Sequence, residues 1–118
     1  MSKPHGTEYV PETGDLIWID FTPQAGHEQG GRRPALVLSP ALYNGKTGLA
    51  VMCPITSQAK GYPFEVALPA GLKIRGAVLS DHMKNLDWRA RRAEKAGVAP
   101  AALMTAVRSR IAALLGIA

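Results

Sequence analysis

Between Thr13 and Pro100 the apolar residues come in short runs separated by glycine, proline and small polar residues, and this segmentation constrains the fold more than any other feature. Runs this short are too brief for ordinary helices but fit strands closed by turns. The clearest is 15–22, D-L-I-W-I-D-F-T. Its alternation predicts Leu16, Trp18 and Asp20 on one face and Ile17, Ile19 and Phe21 on the other. Asp20 interrupts its face near the end of the run, which predicts that this end meets water or a ligand. Residues 35–38 and 49–55 read as buried strands, with Pro54 forcing an edge or a bulge. A helical turn from Ser39 is expected to end by Tyr43, before turn signals at Asn44–Gly45 and Thr47–Gly48. Further strands are expected at 64–68 and 76–79, and more exposed ones at 84–88 and 91–97. Trp18 is expected in the core, and Trp88 in the core or at a subunit interface.

The period changes after Pro100. Leu103, Val107, Ile111, Leu114 and Leu115 recur every three to four residues, as in an amphipathic helix, with Gly116 as its stop. The sum is a mainly β chain: a small, strongly bent antiparallel sheet or barrel, with a C-terminal helix on its outside or at one end. Residues 1–8 read as a flexible tail and 9–118 as one domain.

Composition narrows the function. The chain has 118 residues and a formal charge of +5, which favours a polyanionic partner. Its single cysteine, Cys53, excludes an intrachain disulfide and a cysteine-built metal site. The three histidines and nine acids show no metal-ligand spacing, so no metal or other cofactor is expected. No apolar run approaches the roughly 20 residues of a membrane span, and a soluble cytoplasmic protein without a membrane partner is the expectation.

Chemistry concentrates in two polar segments at strand ends. In 28–40, E-Q-G-G-R-R-P-A-L-V-L-S-P, a glycine-bearing loop feeds a rigid strand. Pro34 biases Arg33 towards an extended backbone at that junction. The other segment, 56–60, follows the strand that ends at Ile55. If the two strands pair antiparallel, Arg33 and Thr56 become neighbours at one rim. A rim with Arg33, Thr56, Ser57 and Lys60, facing Glu28, has the parts to handle a phosphodiester. RNA brings its own nucleophile, the 2′-hydroxyl, so no serine or cysteine nucleophile is required.

The strings Y-V-P-E-T-G-D-L-I-W-I-D-F, E-Q-G-G-R-R-P-A-L-V-L-S-P, P-I-T-S-Q-A-K-G-Y-P-F-E-V and W-R-A-R resemble the MazF/PemK (Kid) family of toxin endoribonucleases, in order and over nearly the whole chain. The resemblance implies an SH3-like barrel of the MazF/CcdB type and a homodimer. It implies metal-independent, sequence-specific cleavage of single-stranded RNA to a 2′,3′-cyclic phosphate and a 5′-hydroxyl. It also implies a cognate MazE-like antitoxin whose flexible acidic tail fills the RNA site.

Arg33 and Thr56 match the family's catalytic arginine and threonine, and Glu28 its loop glutamate. An arginine side chain is a poor base, so Arg33 is read first as a transition-state clamp. Whether it also acts as acid, and whether Glu28 is the base or only orients Arg33, is open at this level. RNA contacts are expected from Phe21, Gln29, Ser57, Gln58, Lys60, His82 and Lys84. Phe21 is read either as a stacking platform or as a core residue. The basic cluster Arg89, Arg91, Arg92 and Lys95 reads as a solvated strand face. Asp81–His82 stands where the family pattern has Asp–Gln, and His27 where it has a small polar residue, which bears on base recognition rather than chemistry. Two rival functions fit the same sequence: a CcdB-like poison of DNA gyrase, and a plain binding module for an acidic partner.

Overall fold

The computed structural model describes residues 8–21 and 31–117. Its elements, in chain order, are β1 (Asp15–Asp20), β2 (Arg32–Val37), α1 (Ala41–Thr47), β3 (Leu49–Thr56), β4 (Glu65–Ala67), β5 (Ala77–Leu79), β6 (Lys84–Asp87), β7 (Glu94–Val98) and α2 (Ala101–Leu115). The seven strands pair antiparallel in the order β4-β5-β3-β2-β1-β7, and β6 pairs with the first half of β3. The mainly β class with a C-terminal helix is therefore as the sequence predicts. Among the described residues the hydrogen-bonded path is open, ending on β4 and β7.

Both faces of the central strands are buried, as their near-continuous apolar composition requires. On one face Leu16, Leu36, Cys53 and Ile55 pack beneath Leu103, Met104 and Val107 of α2. On the other, Ile17, Ile19, Ala35, Val37, Ala50 and Met52 close around Trp88. The alternation predicted for β1 is observed: Leu16 faces the helix side, Ile17 and Ile19 the Trp88 side. Gly116 stops α2 as expected, in the left-handed conformation (φ 71°) that ends a helix, while Pro100 is its extended N-cap rather than its first residue.

Several local expectations are corrected. Trp18 shares a face with Leu16 but is 38% exposed, because the α2 residues that cover Leu16 do not extend over it. Trp88 is core, 3% exposed, and donates its indole N–H to the Asn44 carbonyl at 2.9 Å. Asn44–Gly45 is not a turn but the middle of α1. The fully buried Asn44 side chain donates to the Pro11 and Ser39 carbonyls and accepts from the Ser39 hydroxyl. These tertiary bonds override its turn propensity. Pro54 lies on a central strand, not an edge. It falls between the β6 ladder, which ends at Met52, and the β5 ladder, which begins at Ile55, so its missing N–H costs the sheet little.

The last strand is Glu94–Val98, and Arg91 and Arg92 belong to the preceding turn, where Arg92 has a positive φ of 55°. The basic cluster is solvated as expected, with Arg89, Arg92 and Lys95 exposed, but it also carries ion pairs. Arg89 pairs with Glu8 and stacks over Trp88, Arg92 pairs with Asp20, and Lys95 lies 3.6 Å from Asp15. Residues 9–12 pack on the sheet. Asp15 is buried and accepts hydrogen bonds from the Tyr9 hydroxyl and the Glu12 N–H. Burial and this carboxylate push the Tyr9 hydroxyl far up, which keeps it a donor.

Candidate active site

The β2–β3 ladder settles which polar residues meet. Ala35 pairs with Pro54 and Leu36 with Cys53. The pairing stops at Ala35 and Pro54; continued two residues further, the same register would set Arg33 level with Thr56. Side chains alternate along a strand, so Arg33 continues the row of Ala35 and Val37, and Thr56 that of Met52. Both rows belong to the Trp88 side of the sheet. Arg33 and Thr56 thus lie on the same face of the sheet, where that core ends.

A cleft of about 310 Å3 opens at this end, lined by Arg32, Arg33, Pro34, Ile55, Ser57 and Arg75. Its two adjacent arginines have different fates. Arg32 donates to the Asp20 carboxylate at 3.0 Å, to Glu94 at 3.1 Å and to the Arg92 carbonyl. Asp20 takes a second guanidinium, Arg92, at 2.9 Å. Arg92 first, then Arg32, holds the Asp20 carboxyl below its ordinary value, against the upward push of desolvation. The expectation that Asp20 meets water or a ligand is thus replaced by an ion-pair network. Arg33, by contrast, is exposed and makes no hydrogen bond or ion pair with any described residue.

The segment after β3 is held by its own residues. The Thr56 hydroxyl accepts the Gln58 N–H at 3.0 Å. Glu65 accepts the N–H groups of Lys60 and Gly61 at 2.9 and 2.8 Å, folding 57–61 back onto β4. The glutamate that closes the T-S-Q-A-K-G-Y-P-F-E string is therefore a clamp for the loop. The other wall rests on Gly76, whose φ is +124°. A Cβ there would stand 2.0 Å from the Thr56 carbonyl oxygen, so only glycine lets the chain before β5 lie against Thr56 and Ser57.

Of the remaining expected residues, Ser57, Gln58 and Lys60 are exposed on the loop after β3. Phe21 is half-buried against the Trp88 side of the core, and its N–H donates to the Gly31 carbonyl at 2.7 Å. Arg91 donates to the carbonyls of Asp20 and Phe21, so both ends of the 22–30 segment are fixed. Lys84 is exposed at the start of β6, opposite Met52, which is about 13 Å along β3 from Thr56 at the usual rise per residue. His82 is exposed in the turn before it, 3.7 Å from Asp81. Glu28, Gln29 and His27 lie outside the described residues. The sequence reading missed Arg75, Gly76 and Glu65. Only the Arg-Gly pair immediately before a strand signalled the first two.

No cluster of His, Cys, Asp or Glu able to hold a metal occurs among the described residues, and no helix among them is long and apolar enough to cross a membrane. The arrangement suits a phosphate: a guanidinium without a partner among the described residues, Ser57 in the same cleft and backbone fixed on both sides.

Comparison with known proteins agrees in sequence and in fold. Residues 12–115 match the family model described as PemK-like, MazF-like toxin of type II toxin-antitoxin system. The chain is 48% identical to the endoribonuclease toxin MazF of Escherichia coli K12 over 110 residues, covering 93% of this chain and 98% of that protein. It superposes on a crystal structure of MazF from Deinococcus radiodurans with a TM-score of 0.85 and 64% identity, covering 92% and 99% of the two chains. A MazE-MazF crystal structure from the same organism gives a TM-score of 0.85 at 56% identity, covering 94% and 100%.

Proposed function

Because the chain belongs to the PemK-like, MazF-like toxins of type II toxin–antitoxin systems, we propose that it is an endoribonuclease that cuts single-stranded RNA at a short sequence without a metal. The observation that carries this reading is Arg33, exposed in one cleft with Ser57 and without a partner among the described residues, on the sheet face that also carries Thr56.

The RNA 2′-hydroxyl attacks the adjacent phosphorus, the P–O5′ bond breaks, and the products are a 2′,3′-cyclic phosphate and a 5′-hydroxyl. Arg33 clamps the phosphoryl oxygens as charge accumulates on them, and the Thr56 hydroxyl donates to the same centre. One group must take the 2′-hydroxyl proton and another must protonate the leaving 5′-oxygen. Glu28 is the candidate base, and Arg33 or a water supplies the second proton. Ser57, Gln58 and Lys60 flank the scissile phosphate, and His82 and Lys84 lie along the RNA path beyond it, with Phe21 and Gln29 at the loop side.

A cognate antitoxin with an acidic segment is the natural competitor for such a basic cleft, and the MazE-MazF structures of the relative support a partner of that kind. Self-association to a homodimer is supported by an apolar groove of about 480 Å3, lined by Leu38, Val51, Met83, Ile111 and Ile117 among others. The gyrase-poison and binding-module readings do not account for Arg33 and Thr56 on one face at this end of the sheet.

The test is a long, defined, mostly single-stranded RNA incubated with the purified protein in excess chelator, with every new 5′ end mapped and assayed for a hydroxyl. Cuts at one recurring motif, lost in Arg33→Ala and in Thr56→Ala, are expected. Intact RNA from folded, antitoxin-free protein, or strict dependence on added magnesium, contradicts the reading.

A further inference from the structure

Arg75 lines the cleft with Arg32 and Arg33, and neither the Asp20 ion-pair network nor the proposed chemistry uses it. It is exposed, and it makes no hydrogen bond or ion pair with any described residue. Its backbone is nevertheless fixed on both sides. Ile74 is 3% exposed in the core beneath α2, and Gly76 lies against the Thr56 carbonyl while its own carbonyl accepts the Leu68 N–H at 2.9 Å. Ala77, next in the chain, pairs with Thr56 itself. Arg75 therefore springs from a rigid base beside Ser57, on the side of β3 opposite Arg33. Two like charges without carboxylate partners among the described residues face one cleft, an arrangement that repels until an anion enters.

We propose that Arg75 is a second phosphate-binding residue of this site, which takes the backbone phosphate next to the scissile one and so sets the register of the RNA across Arg33 and Thr56. This rests on the endoribonuclease reading. The register separates the roles: continued past its last pair, it sets Arg33 level with Thr56, whereas Arg75 stands beyond it, level with the loop that follows. RNA is favoured over an acidic protein segment because Arg75 shares this cleft with Arg33, the residue that clamps the reacting phosphate in the endoribonuclease reading. Arg75 is a positioning residue. It binds substrate rather than the atoms that exchange bonds.

The probe is an RNA oligonucleotide bearing the mapped cut motif with a single 2′-deoxy nucleotide at the cut, which removes the nucleophile and leaves the phosphates. Its affinity is measured against salt for wild type, Arg75→Ala, Arg75→Gln and Arg75→Lys, and the cleavable RNA is used for kcat and KM. Arg75→Ala and Arg75→Gln are expected to bind about tenfold more weakly, with the slope of log affinity against log salt reduced by about 0.7. KM should rise in step while kcat stays within about threefold, because a ground-state phosphate contact is lost equally from ground and transition states. Arg75→Lys should restore most of the affinity.

Unchanged affinity and slope in a variant of an enzyme that cuts RNA would overturn the inference and leave the proposed function standing. So would a fall in kcat with affinity intact, or weakened binding of a polyglutamate peptide with RNA binding unchanged. A wild-type protein that cuts no RNA would remove the function and the inference together.

Discussion

Arg32 and Arg33 are adjacent on one strand, carry the same side chain and have opposite employment. Arg32 points to the α2 side, where Asp20, Glu94 and the Arg92 carbonyl use its donors. Arg33 points to the other side, past the end of the apolar row, with no described partner. Strand alternation alone separates them. A guanidinium already paired with carboxylates has its charge neutralised and its donors occupied. One left unpaired on a fixed backbone keeps both available for an incoming phosphate. The stem of the loop is thus stabilised by one arginine so that the next can stay free.

The largest expected effect breaks the pair directly. Arg33→Ala should lower kcat by about a hundredfold or more, as loss of a transition-state donor does, with thermal stability unchanged. Arg32→Ala should do the reverse, lowering stability by about 1 kcal/mol through a partly exposed ion pair while retaining most of kcat. Cleavage kinetics and urea titrations on both variants decide it. Equal losses of activity would show that the two arginines act as one group.

Gly76→Ala attacks the other wall of the cleft. At φ +124° an L-residue is strained, and the added methyl would sit 2.0 Å from the Thr56 oxygen. A cost of about 2–3 kcal/mol is expected, from strain at a glycine-only conformation. Because the displaced groups are Thr56 and Arg75, activity should fall at temperatures where the variant is still folded. Circular dichroism beside cleavage rates checks this. A variant with wild-type kinetics would show that the close approach is incidental to the site.

The placing of Arg33 and Thr56 at one end of the sheet was legible because antiparallel pairing of two apolar runs brings their outer ends together. Arg33 and Thr56 followed from that alone, and the resemblance assigned their roles. What was hidden depends on contacts distant in sequence. Trp18 is exposed because the helix cover does not extend over it, and strand alternation does not record that length. Asn44 reads as a turn residue unless Pro11 and Trp88 are known to surround it. The ion pairs of the cluster from Arg89 to Lys95 are hidden because its acidic partners, Glu8, Asp15 and Asp20, lie some eighty residues away. Arg75 ends a stretch with no periodicity, and only the approach of Gly76 to Thr56 carries it into the cleft.

The smallest effect sharpens the comparison through pH. The Arg92 and Arg32 guanidinium groups hold the Asp20 carboxyl below its ordinary 3.8. Its folded value is lower than its unfolded one, so the stability it contributes is fully present above pH 3.8. That contribution disappears as pH falls through the depressed folded value. Asp20→Asn should therefore be less stable than wild type at neutral pH and should converge on it in acid, read as the urea midpoint between pH 7 and pH 3. Arg33→Ala, which leaves this network intact, should run parallel to wild type over the same range. If Arg33→Ala converged as Asp20→Asn does, Arg33 would share the carboxylate, and the division between a paired and a free arginine would fail at its origin.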